Sequence, residues 1–599
     1  MKNTALSLIA VLAFLGAAAQ TPQPSTQSRH LDPSTVSLGK EPPRGDVVSH
    51  DSKADAVRQT YGASRYLQPL SEWSRSETPE AVTFRTRFTI PFGWIDREQF
   101  LHVGRASGSF DVAINDSLAA YSQTGSTPSE FDITQIAKEG ANDLAITIYK
   151  EPVARRLEDA RPPVEPQIEG EVYILSQPRV RVRDVSISTR MDGSSGLLQL
   201  GVILKSHRLN PHDYTVHWEL LNHAGEIMAE GRKDARLDMR REDTVTFFHN
   251  IPDVVPWSHE QPHLYTLFIK TQNEGRFREY LSFRVGFRNI DLTDDGKLTL
   301  NGVPIDPVMS EFSPTGDVSA MQTQIERLRA EGVNTLVLRG APPSREFFAL
   351  CDRMGVYVSC RADIDTRLSG ESRTVGGNPS NDPAWLGAYL DRVLAMYHTS
   401  KNHPSVAMFS LADRSANGYN LYESYLALKA LEPHRPVLYA DGGGEWNSDI
   451  LNLPESSTER HIAMSGAADW ATLQVVDITK GIFRVGNSRR ITPLTGEAVY
   501  TIKTGRKVVS SGRTPIEVLP GQSTEFTIPI AGVKEGKTYT VAVEIATEST
   551  VGDYLPPNDP DLKVYRRLDL PMSPHARTVI LSGEFRSNET QGETISDSK

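Results

Sequence analysis

Three arginines and three aspartates lie in two short segments of the sequence, each near the point where a predicted strand has just ended. These residues are Arg361, Asp363, Asp365, Arg367, Asp413 and Arg414. The planar fork of N–H donors on arginine binds a carboxylate or a sulfate through paired hydrogen bonds. Two interpretations stay open: the arginines form a positively charged pocket for an anionic ligand, or they pair with the neighbouring aspartates.

The region that positions these residues alternates short apolar runs with segments of helical period. Strands are predicted at 334–338, 356–360, 405–411 and 436–440, and helices at 318–331, 345–354, 383–399 and 421–431. Such alternation indicates parallel strands whose carboxyl ends carry the ligand-binding groups, as in a (β/α) barrel. The predicted barrel region, 291–456, is shorter than the about 250 residues of a closed eight-stranded barrel, so we expect a truncated one.

The rest of the ordered chain has the period-two alternation of half-buried strands. Two successive β-sandwiches are predicted at 61–176 and 177–290, and a further β-sandwich at 457–585. The protein is therefore expected to be multidomain. Trp385, Tyr389 and Tyr397 lie at helical spacing and are predicted to be core residues.

The two ends of the chain have a different composition. Residues 1–19 have the charged start, short apolar run and small residues of a signal peptide, which predicts a secreted or periplasmic protein. Residues 20–60 have no hydrophobic period and are predicted to be a flexible leader, and 586–599 a disordered tail.

Composition excludes several classes of partner. A net charge of -11 over 599 residues argues against nucleic acid, and no apolar run reaches the about 20 residues of a membrane span. Cys351 and Cys360 are the two cysteines, so no disulfide framework is expected.

Many short segments, in order, resemble bacterial β-galactosidases of glycoside hydrolase family 2. They include Thr-Pro-Ser-Glu-Phe-Asp-Ile-Thr at 127–134, Pro-Trp-Ser at 256–258, Cys-Asp-Arg-Met-Gly at 351–355, Asn-Asp-Pro-Ala-Trp at 381–385 and Asn-His-Pro-Ser-Val at 402–406. The resemblance implies a jelly-roll sugar-binding β-sandwich, an immunoglobulin-like β-sandwich, a truncated TIM-type barrel and a C-terminal β-sandwich like domain 4 of β-galactosidase.

The resemblance also implies where the catalytic groups belong. The family carries its acid/base glutamate in a Gly-Asn-Glu-Ser turn, and this chain has Ala412-Asp413-Arg414-Ser415 there. Arginine cannot give up a proton to a leaving group. The segment that bears the nucleophile is not recognisable, so we expect no catalytic residue and no second carboxylate facing this position.

The family's metal and sugar contacts are changed as well. Glu311 matches one metal ligand, but Ser313 and Arg414 replace the others, so no metal and no cofactor are expected. The remaining candidates for ligand binding are Asp363, Arg361, Arg367, the glycine-rich-loop residue Trp446 and Asp159.

Two functions stay open. The first is an exported, catalytically impaired protein of carbohydrate metabolism that binds a glycan or oligosaccharide or serves as a scaffold. The second is a glycoside hydrolase that cleaves terminal β-galactosides or related β-glycosides. An open barrel exposes strand edges, so a neighbouring sandwich, a second copy or another partner is expected to cover it.

Overall fold

The computed structural model describes residues 29–58, 64–158, 165–222, 224–294, 296–342, 346–374, 376–442, 445–449, 471–530, 538–548 and 577–586. The predicted signal peptide, the tail after 586 and Asp159 lie outside these residues. No helix in the described ranges is both long and apolar enough to cross a membrane.

The first domain is a β-sandwich of a six-stranded and a four-stranded sheet, ordered β1-β7-β6-β9-β4-β3 and β2-β10-β5-β8. Its strands are β1 (Ser37–Leu38), β2 (Leu67–Pro69), β3 (Ser74–Glu77), β4 (Ala81–Ile90), β5 (Glu98–Val103), β6 (Phe110–Ile114), β7 (Ser117–Ser122), β8 (Ser129–Asp132), β9 (Gly140–Tyr149) and β10 (Val172–Gln177). Alternate residues such as Val112, Ile114, Ile146 and Ile148 are fully buried between the sheets, as the period-two pattern predicted.

The prediction of a flexible leader over 20–60 is wrong for residues 29–58. Within this segment β1 pairs with β7, and helix α1 covers Lys53–Arg58. Lys40 binds Asp391 at 3.0 Å, and Arg44 donates two hydrogen bonds of 2.7 Å to Glu130. The absence of a hydrophobic period shows only that a segment builds no core of its own, and this one is held by ion pairs and hydrogen bonds to folded domains.

The second domain is a smaller β-sandwich with sheets ordered β11-β12-β15 and β14-β13-β16-β17. Its strands are β11 (Val180–Asp192), β12 (Ser195–Ser206), β13 (His212–Leu221), β14 (Ile227–Leu237), β15 (Glu242–Ile251), β16 (Tyr265–Asn273) and β17 (Arg276–Val285). Trp218 is buried in its core, which also takes in Val47 from the N-terminal segment.

The third region begins with a small hairpin sheet and continues as a parallel sheet. The hairpin strands are β18 (Ile290–Leu292), β19 (Leu298–Leu300) and β20 (Val303–Pro304). The parallel strands are β21 (Met309–Glu311), β22 (Thr335–Arg339), β23 (Tyr357–Arg361), β24 (Val406–Ser410) and β25 (Val437–Leu438), paired in chain order. The connecting helices are α2 (Val318–Ala330), α3 (Glu346–Met354), α4 (Leu386–Ser400) and α5 (Tyr419–Leu431).

The four helices and the strands β22 to β25 lie within a few residues of the predicted ones, whereas β21 and the hairpin strands were not predicted. The Asp317 side chain accepts a hydrogen bond from the backbone N–H of Ala320, as expected of the residue that caps α2. Trp385, Tyr389 and Tyr397 are buried, which confirms them as core residues. Four strand–helix units therefore follow from the sequence pattern.

Residues of the parallel sheet pack in two separate clusters. Val358 and Phe409 pack with the helices, whereas Tyr357 and Met408 pack with hairpin residues and with Trp257 from the second domain. Parts of the chain beyond the parallel sheet thus contribute to covering it. Both cysteines are buried free thiols.

The last domain described is a β-sandwich with sheets ordered β26-β27-β30 and β29-β28-β31-β32. Its strands are β26 (Ala471–Asp477), β27 (Ile482–Asn487), β28 (Leu494–Thr504), β29 (Lys507–Val518), β30 (Ser523–Thr527), β31 (Thr540–Glu548) and β32 (Arg577–Arg586). Glu260 of the second domain joins it by accepting three backbone N–H hydrogen bonds of 2.7–3.0 Å from residues 490–492.

Candidate functional site at the carboxyl edge of the parallel sheet

The carboxyl ends of three neighbouring strands each present a long charged side chain. Glu311 is the last residue of β21, Arg339 of β22 and Arg361 of β23. Asp413 follows three residues after the end of β24. Because parallel strands end at one edge of the sheet, these side chains converge there, and all but Glu311 are at least partly buried.

Asp413 is the centre of this cluster. Its carboxylate accepts a hydrogen bond from Arg339. It also lies 3.2 Å from Arg361 Nη1 and 3.4 Å from Arg367 Nη2. Three guanidinium groups thus surround one carboxylate. Arg339 was not among the sequence candidates, although its place at the end of the apolar run Thr335–Arg339 was a usable signal.

Arg361 also binds a second carboxylate. Its Nη1 lies 3.0 Å from Glu311 Oε1, so Glu311 and Asp413 are joined through one guanidinium nitrogen. A second carboxylate, that of Glu311, therefore lies near Asp413. The two carboxyl groups share this one arginine nitrogen.

Arg367 pairs with its own neighbour, Asp365. The Arg367 Nε contacts both oxygens of the fully buried Asp365, at 2.9 and 3.0 Å. The hydrogen bond and the charge of Asp365 raise the pKa of Arg367. The backbone N–H of Asp365 donates to Leu157 O at 2.6 Å, so a loop of the first domain reaches this edge of the sheet.

The predicted electropositive edge is therefore largely neutralised in the structure. Arg339, Arg361 and Arg367 pair with Asp365, Asp413 and Glu311, which is the second of the two interpretations drawn from the sequence. The pairs made by Arg339 and Arg361 join different strand ends, so these pairs, unlike that of Arg367 with Asp365, could not be read from adjacency in the sequence.

Arg414 and Asp363 occupy different positions from the ion-pair cluster. Arg414 is exposed, and its carbonyl accepts the backbone N–H of Thr366 at 2.9 Å. Asp363 is buried beneath the edge. Asp441, which the sequence did not single out, also lies here: burial and the charge of Asp413 raise its pKa, although the charge of Arg414 lowers it.

Trp446 lies beside an aromatic pair on α5. Its ring is 4.7 Å from the ring of Tyr422 and 5.8 Å from that of Tyr425, and 57% of the residue is exposed. Tyr425 donates a 2.5 Å hydrogen bond to Asp449, which also pairs with Lys429 at 3.0 Å. This anchoring leaves an aromatic surface open for stacking against a flat ligand face.

The retained metal-ligand position does not form a metal site with its neighbours. Glu311 is exposed and engaged by Arg361, and Ser313 is exposed. A single carboxylate paired with a guanidinium does not compete with water for Mg²⁺. These residues do not fit the metal that the family resemblance implies.

Two family models match this chain, one in the second domain and one in the region of the parallel sheet. Residues 180–288 match the model "Glycosyl hydrolases family 2", and residues 298–471 match "Glycosyl hydrolases family 2, TIM barrel domain". The β-galactosidase of Psychromonas ingrahamii is 26% identical over 66% of this chain and 39% of its own length. That of Priestia megaterium is 28% identical over 64% of this chain and 39% of its own length.

Solved structures share the fold at low identity. The exo-chitosanase of Amycolatopsis orientalis has a TM-score of 0.52 at 14% identity, covering 78% of this chain and 74% of that one. A β-D-glucuronidase of Dictyoglomus thermophilum has a TM-score of 0.50 at 18% identity, covering 72% and 75%. The chain spans about two fifths of the length of the curated relatives that it matches. With its β-sandwich domains and its TIM barrel domain, the chain belongs to glycoside hydrolase family 2.

Proposed function

We propose that this chain is an exported, non-catalytic member of its family that binds a glycan or oligosaccharide or serves as a scaffold. The observation that supports this most is the state of Asp413, whose carboxylate is held by three arginines. Its neighbour Arg414 takes the place that the family resemblance assigns to the acid/base glutamate. No cofactor is part of the proposal.

The chemistry of cleavage explains why this arrangement opposes catalysis. Retaining hydrolysis needs two carboxyl groups about 5–5.5 Å apart with the scissile bond between them. Glu311 and Asp413 are near one another, but they share the Arg361 nitrogen, at 3.0 and 3.2 Å. A sugar held by both carboxylates would take the place of this Arg361 contact. A guanidinium also stays charged and cannot act as the acid.

Trp446 is the proposed contact for the glycan. An exposed indole stacks against the apolar face of a pyranose ring. The indole of Trp446 is itself in contact with the rings of Tyr422 and Tyr425. Asp363, Arg361, Arg367 and Asp159 remain further candidates for ligand binding.

We also infer that the barrel of this chain is shortened. The last parallel strand described ends at Leu438 and the next sandwich begins at Ala471, which leaves too few residues for three further strand–helix units. The edge strand β25 is then a surface for a second copy or another partner.

A hydrolase acting on terminal β-galactosides or related β-glycosides is the second candidate. It is favoured by the curated relatives, which are β-galactosidases, and by the closeness of Glu311 and Asp413. Reorientation of Arg361 on substrate binding would be required.

An activity assay separates the two candidates. The protein is incubated with nitrophenyl β-galactoside, β-glucuronide and β-mannoside, with and without Mg²⁺, beside Asp413→Asn. We expect no turnover above the uncatalysed rate in any of these. Turnover by the wild-type protein that Asp413→Asn abolishes would establish the hydrolase instead.

A glycan array then tests binding. We expect at least one glycan to bind and Trp446→Ala to weaken that binding at least tenfold. Phe248→Ala is the matched control, because Phe248 is 73% exposed but lies on β15 of the second domain. No binding by the wild-type protein, or equal loss in both variants, would contradict the glycan-binding proposal.

A further inference from the structure

The first and second domains meet at a cluster of three side chains that can each ligate a metal. They are Glu98 on β5, Asp132 at the end of β8 and His207, which directly follows β12. One potential ligand atom from each lies within 4.8 Å of the other two. The three residues are distant in sequence, so only the packing of the two sandwiches brings them together.

The donor atoms point to a common centre. Glu98 Oε2 lies 3.3 Å from His207 Nδ1 and 3.3 Å from the hydroxyl of Thr134. The same hydroxyl is 2.5 Å from Asp132 Oδ1. An imidazole nitrogen, two carboxylates and a hydroxyl oxygen therefore surround one small volume, and Glu98 is almost fully buried.

We propose that this cluster is a binding site for a divalent transition-metal ion, with Zn²⁺ as the best match to the donors. Zinc accepts imidazole nitrogen and carboxylate oxygen in a four-coordinate shell, whereas Mg²⁺ and Ca²⁺ prefer oxygen alone. Two carboxylates and a neutral imidazole balance the charge of the ion. A water molecule completes the shell, and the Thr134 hydroxyl holds Asp132 in place by its hydrogen bond.

The spacing allows the ion with a small adjustment. Bonds of about 2.0–2.2 Å place tetrahedral ligand atoms roughly 3.5 Å apart. The 3.3 Å separation of Glu98 and His207 already meets this distance. The widest separation in the cluster is within 4.8 Å and must shorten by about an ångström. His207 lies outside a strand, so its side chain can make that movement.

The surrounding charges set the strength of binding. Arg179 Nε lies 3.8 Å from Glu98 Oε1, whereas the His207 contact is made by Oε2. Burial raises the pKa of Glu98, but His207 and the charge of Arg181 outweigh it, and the net pKa is lowered. The charges of Arg179 and Arg181 weaken the attraction of this cluster for a cation. We expect micromolar rather than tighter affinity.

A bound ion would join two domains, because its ligands come from both. An ion that binds the folded but not the unfolded chain raises the melting temperature in proportion to the logarithm of its concentration.

The test uses the full chain without a histidine tag, stripped with a chelator and titrated with Zn²⁺ by calorimetry at pH 7.5. We expect a site of one Zn²⁺ per chain and a melting temperature that rises with Zn²⁺. Affinity should fall at least tenfold in both His207→Gln and Asp132→Asn. His212→Gln is the control, because its imidazole pairs with Glu274 at 3.6 Å in the same domain and should leave binding unchanged.

Two results would contradict the proposed Zn²⁺ site. Absence of a one-to-one site, or binding in both variants equal to that of the wild-type protein, overturns the proposal. Circular dichroism checks that each variant is folded. If His207→Gln does not fold, the Zn²⁺ affinities of Asp132→Asn and Thr134→Val are compared with that of the wild-type protein instead. The result of this test does not depend on whether the protein binds glycans.

Discussion

Asp184 is the residue whose replacement should tell most about how the domains are held together. It lies on β11 of the second domain and is fully buried. Lys401, which follows α4, contacts its carboxylate at 2.5 Å, and His398 Nδ1 is 3.6 Å away. The backbone N–H of Gly45 in the N-terminal segment donates to it at 3.0 Å. Three parts of the chain therefore meet at one buried carboxylate.

Asp184→Asn removes the charge and keeps the shape and one acceptor oxygen. Lys401 has only 6% of its surface exposed and loses its counterion. Breaking a buried ion pair by removing one partner costs about 3–5 kcal/mol. Burial lowers the pKa of Lys401, so the ammonium can shed its proton, and we expect the lower end, about 3 kcal/mol.

Urea denaturation followed by tryptophan fluorescence measures this cost. Asp234→Asn is the control, because Asp234 pairs with Arg232 at 3.3 Å on the surface and its loss should leave the midpoint unchanged. A loss below about 1 kcal/mol for Asp184→Asn would refute the assignment of a buried interdomain ion pair, since the expected cost is at least about threefold larger.

The pH dependence gives the same prediction a second test. Burial raises the pKa of Asp184, but Lys401 and His398 outweigh it and leave the pKa well below its ordinary value. A carboxylate with a depressed folded-state pKa stabilises the protein above its unfolded pKa of about 3.9, and that stabilisation is lost as the pH falls further. The gap between wild type and Asp184→Asn should therefore narrow below about pH 4.

Two further substitutions test packing and domain attachment. Gly231→Ala places a Cβ 2.4 Å from Trp218 Nε1 and should lower the free energy of unfolding by about 1–3 kcal/mol, measured by thermal unfolding. Gly201→Ala is the control, because its Cβ would lie 3.7 Å from the nearest atom and should cost less. Equal losses in the two variants would contradict this prediction. Glu260→Gln weakens the acceptor for the N–H groups of 490–492, and hydrogen exchange there should accelerate; unchanged exchange would show that the contact does not hold the last sandwich.

Periodicity predicted the helices and strands because it reflects which residues are buried. Met321, Ile325 and Leu328 lie on one face of α2 and are buried, and Asp317 caps that helix. These features depend on residues within two or three turns of each other. The same reasoning failed for the N-terminal segment, where Lys40 and Arg44 find their partners in distant parts of the chain.

The amino-acid sequence by itself determined the order of the domains and the family, because these depend on residue types and local patterns. Only the tertiary structure decided which carboxylate each arginine binds, and that Glu311 and Asp413 share Arg361. It also decided that Glu98, Asp132 and His207 meet at a domain boundary. Ion pairs and ligand sets depend on distances of a few ångströms between segments far apart in the chain, and packing sets those distances.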